Sequence, residues 1–150
     1  MEATHVASER VRWPGRRPRV LIVDDDASIR LLCATHLRRE GYDVIETVDG
    51  QDGLERAFSE APDLALLDIS MPVLDGFGLA AALRGDERTQ RLPFVFLSGE
   101  TDPHIEARAL EAGAHGYFAK PFDLSAVGAF VQGVLAQLAP EPTRLGGHAF

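Results

Sequence analysis

Four stretches of this sequence carry groups that can do chemistry together. Asp24, Asp25 and Asp26 follow the apolar run Val20 to Val23, Asp68 follows Leu64 to Leu67, Ser98 follows Phe94 to Leu97, and Lys120 follows Tyr117 to Ala119. Carboxylates crowded at one place repel each other unless positive charge intervenes, and hard oxygen donors without Cys or His select Mg²⁺ or a similar ion. Mg²⁺ takes one or two carboxylates and leaves positions for phosphoryl oxygens, so the set points to phosphoryl transfer. Lys120 is the only lysine among the 15 basic residues. A chain that otherwise uses arginine keeps an ammonium where a compact point charge fits beside a carboxylate and a planar fork does not.

The elements that must position these groups are legible from periodicity. Val20 to Val23, Val44 to Val48, Leu64 to Leu67, Phe94 to Leu97 and Tyr117 to Ala119 are short, nearly continuous apolar runs, as expected of parallel strands covered on both faces. Between them lie stretches with helical spacing. Ile29, Leu32, Cys33, His36 and Leu37 form one stripe, with Asp26 to cap it and Gly41 to end it. Leu54, Ala57, Phe58 and Ala61 form a second, stopped by Pro62, and Phe77, Ala80, Ala81 and Leu83 a third. A fourth opens at Asp102-Pro103 and closes at Gly113; a fifth opens at Asp123 and runs to Leu138. The expectation is an α/β fold, (βα)₅, with a doubly wound five-stranded parallel sheet. Its ligand site lies beyond the carboxyl ends of the strands, where the acids, Ser98 and Lys120 fall.

For a chain of 150 residues with 45% hydrophobic content and a mean hydropathy of −0.05, the expectation is one stand-alone domain with a packed core and no folded output domain. The expected layout is a flexible basic arm over 1–18, the domain over 19–139 and a flexible tail over 140–150. No apolar leader and no run of about 18 apolar residues is present, which predicts a cytoplasmic protein. The net charge is −8, and residues 1–19 hold five Arg against two Glu, leaving −11 for the rest. So acidic a body argues against nucleic acid as a direct partner. Cys33 reads as a buried thiol, and the five histidines show no metal-ligand spacing. Trp13 among arginines reads as part of an exposed arm.

From about Arg19 to Leu138 the chain resembles a bacterial two-component response-regulator receiver domain of the chemotaxis-regulator, flavodoxin-like type. The motifs are Val20-Leu-Ile-Val-Asp-Asp-Asp, Leu66-Leu-Asp-Ile-Ser-Met-Pro, Asp75-Gly76, Leu97-Ser98-Gly99 and Lys120-Pro121-Phe122. The resemblance implies that Asp68 is the phosphoacceptor. It implies that Asp25 holds Mg²⁺ directly, Asp24 largely through water, and Asp68 and the Ser70 backbone carbonyl complete the set. Ser98 then donates to a phosphoryl oxygen, Lys120 pairs with Asp68 and the transferred group, and Tyr117 is the switching aromatic. Ser70 and Glu100 stand at positions that tune hydrolysis in the family, and the Lys120–Pro121 bond is often cis there. The implied partners are a sensor histidine kinase or histidine phosphotransfer protein and a downstream protein reading the helix 4–strand 5–helix 5 face.

Taken alone, an Asp run after a strand reads as helix capping, Ser98-Gly99 as a turn and Lys120 as a solvated lysine. Asp26 keeps the capping reading; the joint set moves the others toward the site. Gly76 is expected to supply a positive φ. Two other functions stay open: a receiver-like adaptor that works without phosphorylation, and an aspartyl-nucleophile phosphatase. The latter usually has a second acid two residues after the nucleophile, where this chain has Ser70.

Overall fold

A computed structural model describes residues 13, 15–100 and 102–138. Five strands form one parallel sheet: β1 (Arg19–Val23), β2 (Asp43–Thr47), β3 (Leu64–Asp68), β4 (Phe94–Ser98) and β5 (Gly116–Ala119). Five helices alternate with them: α1 (Ala27–Arg39), α2 (Gly50–Glu60), α3 (Gly76–Arg84), α4 (Pro103–Glu111) and α5 (Leu124–Leu138). The strand order is β2-β1-β3-β4-β5, so the chain reverses its winding between β1 and β3. That is the place where a doubly wound sheet opens a crevice at its carboxyl edge.

Alternation along the strands divides the core in two. Leu21, Val23, Ala65, Leu67, Phe94 and Phe96 face α2, α3 and α4, whereas Val20, Ile22, Leu64, Leu66, Val95 and Leu97 face α1 and α5. Burial on both faces is why these strands read as continuous apolar runs. β5 departs from this: its residues are half-buried or exposed, as befits an edge strand. β2, the other edge, runs one residue ahead of its apolar signal. Thr47 ends it, buried and with its hydroxyl donating to the Ile22 carbonyl (2.9 Å), while Val48 lies outside and is half exposed.

The helix boundaries follow capping chemistry. Asp26, Asp49, Asp75 and Asp102 are N-caps whose carboxylates accept backbone N–H groups of the first turns of α1, α2, α3 and α4. Gly41 and Gly113 take the positive φ that ends α1 and α4. Residues 1–12, 14 and 139–150 lie outside the described residues, and with them most of the expected arm and tail. Where the arm is seen it is held: Trp13 is half-buried against the α1/α5 side of the core rather than exposed, and Arg16 makes a two-pronged bond to Asp63 (2.7 and 3.0 Å).

Candidate functional site

The register carries the acids to one place. Val23 pairs with Leu67, so Asp24 just beyond β1 sits beside Asp68 at the end of β3. Ser98 pairs with Ala119, and the Lys120 N–H donates to the Ser98 carbonyl (2.7 Å), which brings Lys120 over the same edge. Asp24, Asp68 and Ser98 are buried, Asp25 is exposed, and the Lys120 side chain retains 18% exposure. The Lys120 ammonium lies 3.1 Å from Asp24 Oδ2 and 3.3 Å from Asp68 Oδ1. The Lys120–Pro121 bond is cis.

One ammonium between two buried carboxylates leaves an electrostatic deficit. Asp24 Oδ1 accepts the Asp26 N–H (2.9 Å), but Asp24 Oδ2, although close to Lys120, has no aligned hydrogen-bond donor. Burial, and then the negative charge of Asp24, push the Asp68 carboxyl up to about 7 against the pull of Lys120. Burial also works against the Lys120 ammonium, but the attraction of the nearby Asp24 and Asp68 carboxylates wins, and its pKa is raised. Carboxylate oxygens of Asp24, Asp25 and Asp68 lie within 4.8 Å of one another. A buried oxygen without an aligned donor and three clustered carboxylates make an all-oxygen donor set that suits a hard divalent cation.

The loop after Asp68 differs from expectation in one respect. Gly76 has no positive φ; a Cβ there would meet the Asp68 carbonyl oxygen at 2.5 Å and the Ile69 Cα at 2.7 Å. Glycine is needed because the start of α3 presses on the backbone of the phosphoacceptor candidate. The positive φ belongs to Val73 (70°), fully exposed in a tight turn closed by the Leu74 N–H to the Pro72 carbonyl (2.8 Å). For a β-branched residue that conformation is strained.

All the expected site residues converge on this edge except Tyr117, which stands at its margin on β5 with its hydroxyl donating to the Glu100 carbonyl (3.3 Å). Sequence reasoning missed Arg30, whose guanidinium donates to the Asp24 carbonyl (2.7 Å) and lies 3.6 Å from Glu46. No spacing rule would have singled it out, since the contact depends on the turn between β1 and α1. Cys33 is buried as expected, and burial pushes its thiol up to about 11, so it is an inert core residue. Among the described residues, no helix is long and apolar enough to cross a membrane.

Comparison with known proteins agrees with this fold. The curated relatives include the DNA-binding dual master transcriptional regulator RpaA of Synechocystis, 39% identical over 118 residues covering 79% of this chain and 49% of that protein. The PhoP alkaline phosphatase synthesis regulator of Bacillus subtilis is 38% identical over 117 residues, 78% of this chain and 48% of PhoP. The chain therefore spans about half the length of the curated relatives it matches. Among solved structures, Vibrio cholerae chemotaxis protein CheY4 superposes with a TM-score of 0.74 at 33% identity, over 79% of this chain and 99% of that one. The non-phosphorylated HemR receiver domain of Leptospira biflexa gives 0.73 at 27%, over 85% and 100%. Residues 20–132 match the response regulator receiver domain family. With its five-stranded sheet and acidic edge, the chain belongs to the receiver domains of two-component response regulators, which are signalling domains.

Proposed function

We propose that this receiver domain takes a phosphoryl group on Asp68 from a histidine kinase or histidine phosphotransfer protein and thereby alters a protein-binding surface. The single observation that carries the reading is the buried pairing of Asp68 with Lys120 beside Asp24 and Asp25 at the strand ends. An Asp68 carboxylate oxygen attacks the donor phosphorus, and the donor's nitrogen leaves with the bonding electron pair and takes up a proton. The Lys120 ammonium stays within reach of the oxygen that gains the group, and the Ser98 hydroxyl is free to donate to a phosphoryl oxygen.

Asp25 and Asp68, with the Ser70 carbonyl and with Asp24 acting largely through water, would hold Mg²⁺. Bound there, Mg²⁺ would neutralise charge on the carboxylates and on the phosphoryl oxygens. The downstream reader would meet the face formed by α4, β5 and α5, on which Tyr117 lies, when Ser98 is drawn toward the phosphoryl group and Tyr117 follows. The only turnover expected is the domain's own gain and loss of the group. Incubation with acetyl phosphate and Mg²⁺ should add one phosphoryl mass, lost completely in Asp68→Asn; a gain that survives this substitution would overturn the assignment.

A further inference from the structure

Asp24 is gripped on three sides. Its N–H donates to the Thr47 carbonyl across β1 and β2 (3.2 Å), its Oδ1 accepts the Asp26 N–H (2.9 Å), and its carbonyl accepts the Arg30 guanidinium (2.7 Å). The first two bonds are products of the sheet and the turn. The third reaches back from α1, six positions on, and comes from a side chain only 17% exposed, so it is no solvated surface contact. Arg30 is itself held: its Nε lies 3.6 Å from Glu46 Oε1 on β2, and Glu46 Oε2 accepts a bond from Arg38 (3.0 Å). A planar guanidinium can aim one nitrogen at a carbonyl and another at a carboxylate in one fixed geometry, which an ammonium cannot. The path from Glu46 through Arg30 thus ends on the backbone of the turn that carries Asp24 and Asp25.

From this we propose that Arg30 is a positioning residue for the cation site: braced by Glu46, it clamps the Asp24 carbonyl and holds the β1–α1 turn with the Asp24 and Asp25 carboxylates aimed at Asp68. Electrostatically the placement is unfavourable. A guanidinium beside three clustered carboxylates weakens the attraction they exert on a cation. Charge alone therefore says that deleting Arg30 tightens Mg²⁺ binding. A clamp says the opposite, because carboxylates released from the turn must be ordered again when the ion binds. The clamp wins: Arg30 meets the turn through a backbone carbonyl, and Glu46 offsets its charge, so lost order outweighs relieved repulsion. This rests on the proposed Mg²⁺ site and names what keeps it in shape.

Backbone-amide NMR of the full chain tests it. In wild type, Mg²⁺ should shift the Asp25 and Asp68 amide signals; no shift there would overturn the cation site itself, while the clamp is read separately, without metal. In metal-free Arg30→Met the Asp26 N–H, which rests on Asp24 Oδ1, should exchange with solvent about fivefold faster, with the Cys33 and Leu37 amides in the body of α1 unchanged. The Mg²⁺ midpoint of that variant should rise about tenfold. Glu46→Gln leaves Arg30 in place but weakens its brace; it should raise the midpoint about twofold, and add nothing in an Arg30→Met background. Arg38→Met removes the other partner of Glu46 without touching Asp24 and should leave the midpoint unchanged. A tighter Mg²⁺ site in Arg30→Met would overturn the proposal in favour of charge alone. So would Asp26 exchange at the wild-type rate, or Cys33 and Leu37 amides that speed up with it, which is general loosening of α1. A Glu46→Gln effect of equal size in both backgrounds, or an Arg38→Met that matches Arg30→Met, would also overturn it.

Discussion

Asp63 and Asp68 lie at opposite ends of β3 and live in opposite circumstances. Asp63 accepts two bonds from the Arg16 guanidinium and one from the Arg19 N–H (2.8 Å), and its own N–H donates to the Arg19 carbonyl (2.8 Å). Asp68 is more deeply buried and has only the shared Lys120, with Asp24 crowding it. The base of the sheet spends its carboxylate on anchoring the incoming chain. The carboxyl edge keeps its carboxylate underpaired, where a cation or a phosphoryl group has something to gain. The same residue type, just before β3 and at its last residue, is fully partnered at one end and underpaired at the other because of which partners the loops deliver.

The sharpest way to break this contrast is to remove the ammonium that lies between the two buried carboxylates. Lys120→Met leaves Asp24 and Asp68 buried against each other and should cost about 3 kcal/mol of stability in urea unfolding at pH 8 with chelator present. The loss should shrink toward pH 5, where Asp68 takes up a proton.

Asp68→Asn should do the reverse. The folded carboxyl is raised to about 7 from an ordinary 3.8, so between those values the native state keeps a proton that the unfolded chain has released. Stability from this group therefore falls as pH rises through that window. The asparagine variant should be more stable than wild type by about 1–3 kcal/mol at pH 8 without metal, with no gain at pH 4. An unchanged midpoint at pH 8 would remove the claim that Asp68 is electrostatically underpaired.

The smallest effect is expected at the base. Asp63→Asn keeps an acceptor but weakens the Arg16 fork, whose guanidinium is 39% exposed, and should cost about 1 kcal/mol or less while leaving acetyl phosphate labelling intact. A loss of labelling would couple the two ends of β3 and sharpen the comparison into an allosteric one.

Much of this was legible beforehand. The five apolar runs became the five strands, to within a residue, because a parallel sheet buries both faces and leaves an uninterrupted hydrophobic signal. Asp26 was readable as a cap, since capping is local. The phosphoacceptor candidate and its neighbours were readable as polar ends of strands, since a parallel sheet sends all its carboxyl ends to one edge. Gly76 was misread because a positive φ is the usual reason for a glycine in a loop, whereas close approach to the Asp68 carbonyl is a contact between α3 and β3 that no local pattern carries. The anchoring of Arg16 on Asp63 escaped for the same reason, being a bond across 47 positions.

What the sequence determined by itself was the set of groups and the edge on which they meet, through periodicities that any (βα)₅ chain must obey. The tertiary structure decided how the charges are shared. It placed one ammonium between two buried carboxylates, left Asp24 Oδ2 without an aligned donor, and hung Tyr117, Ser98 and Ser70 on the single residue Glu100. Those are matters of distance and burial between separate loops, and distance is what a linear pattern does not contain.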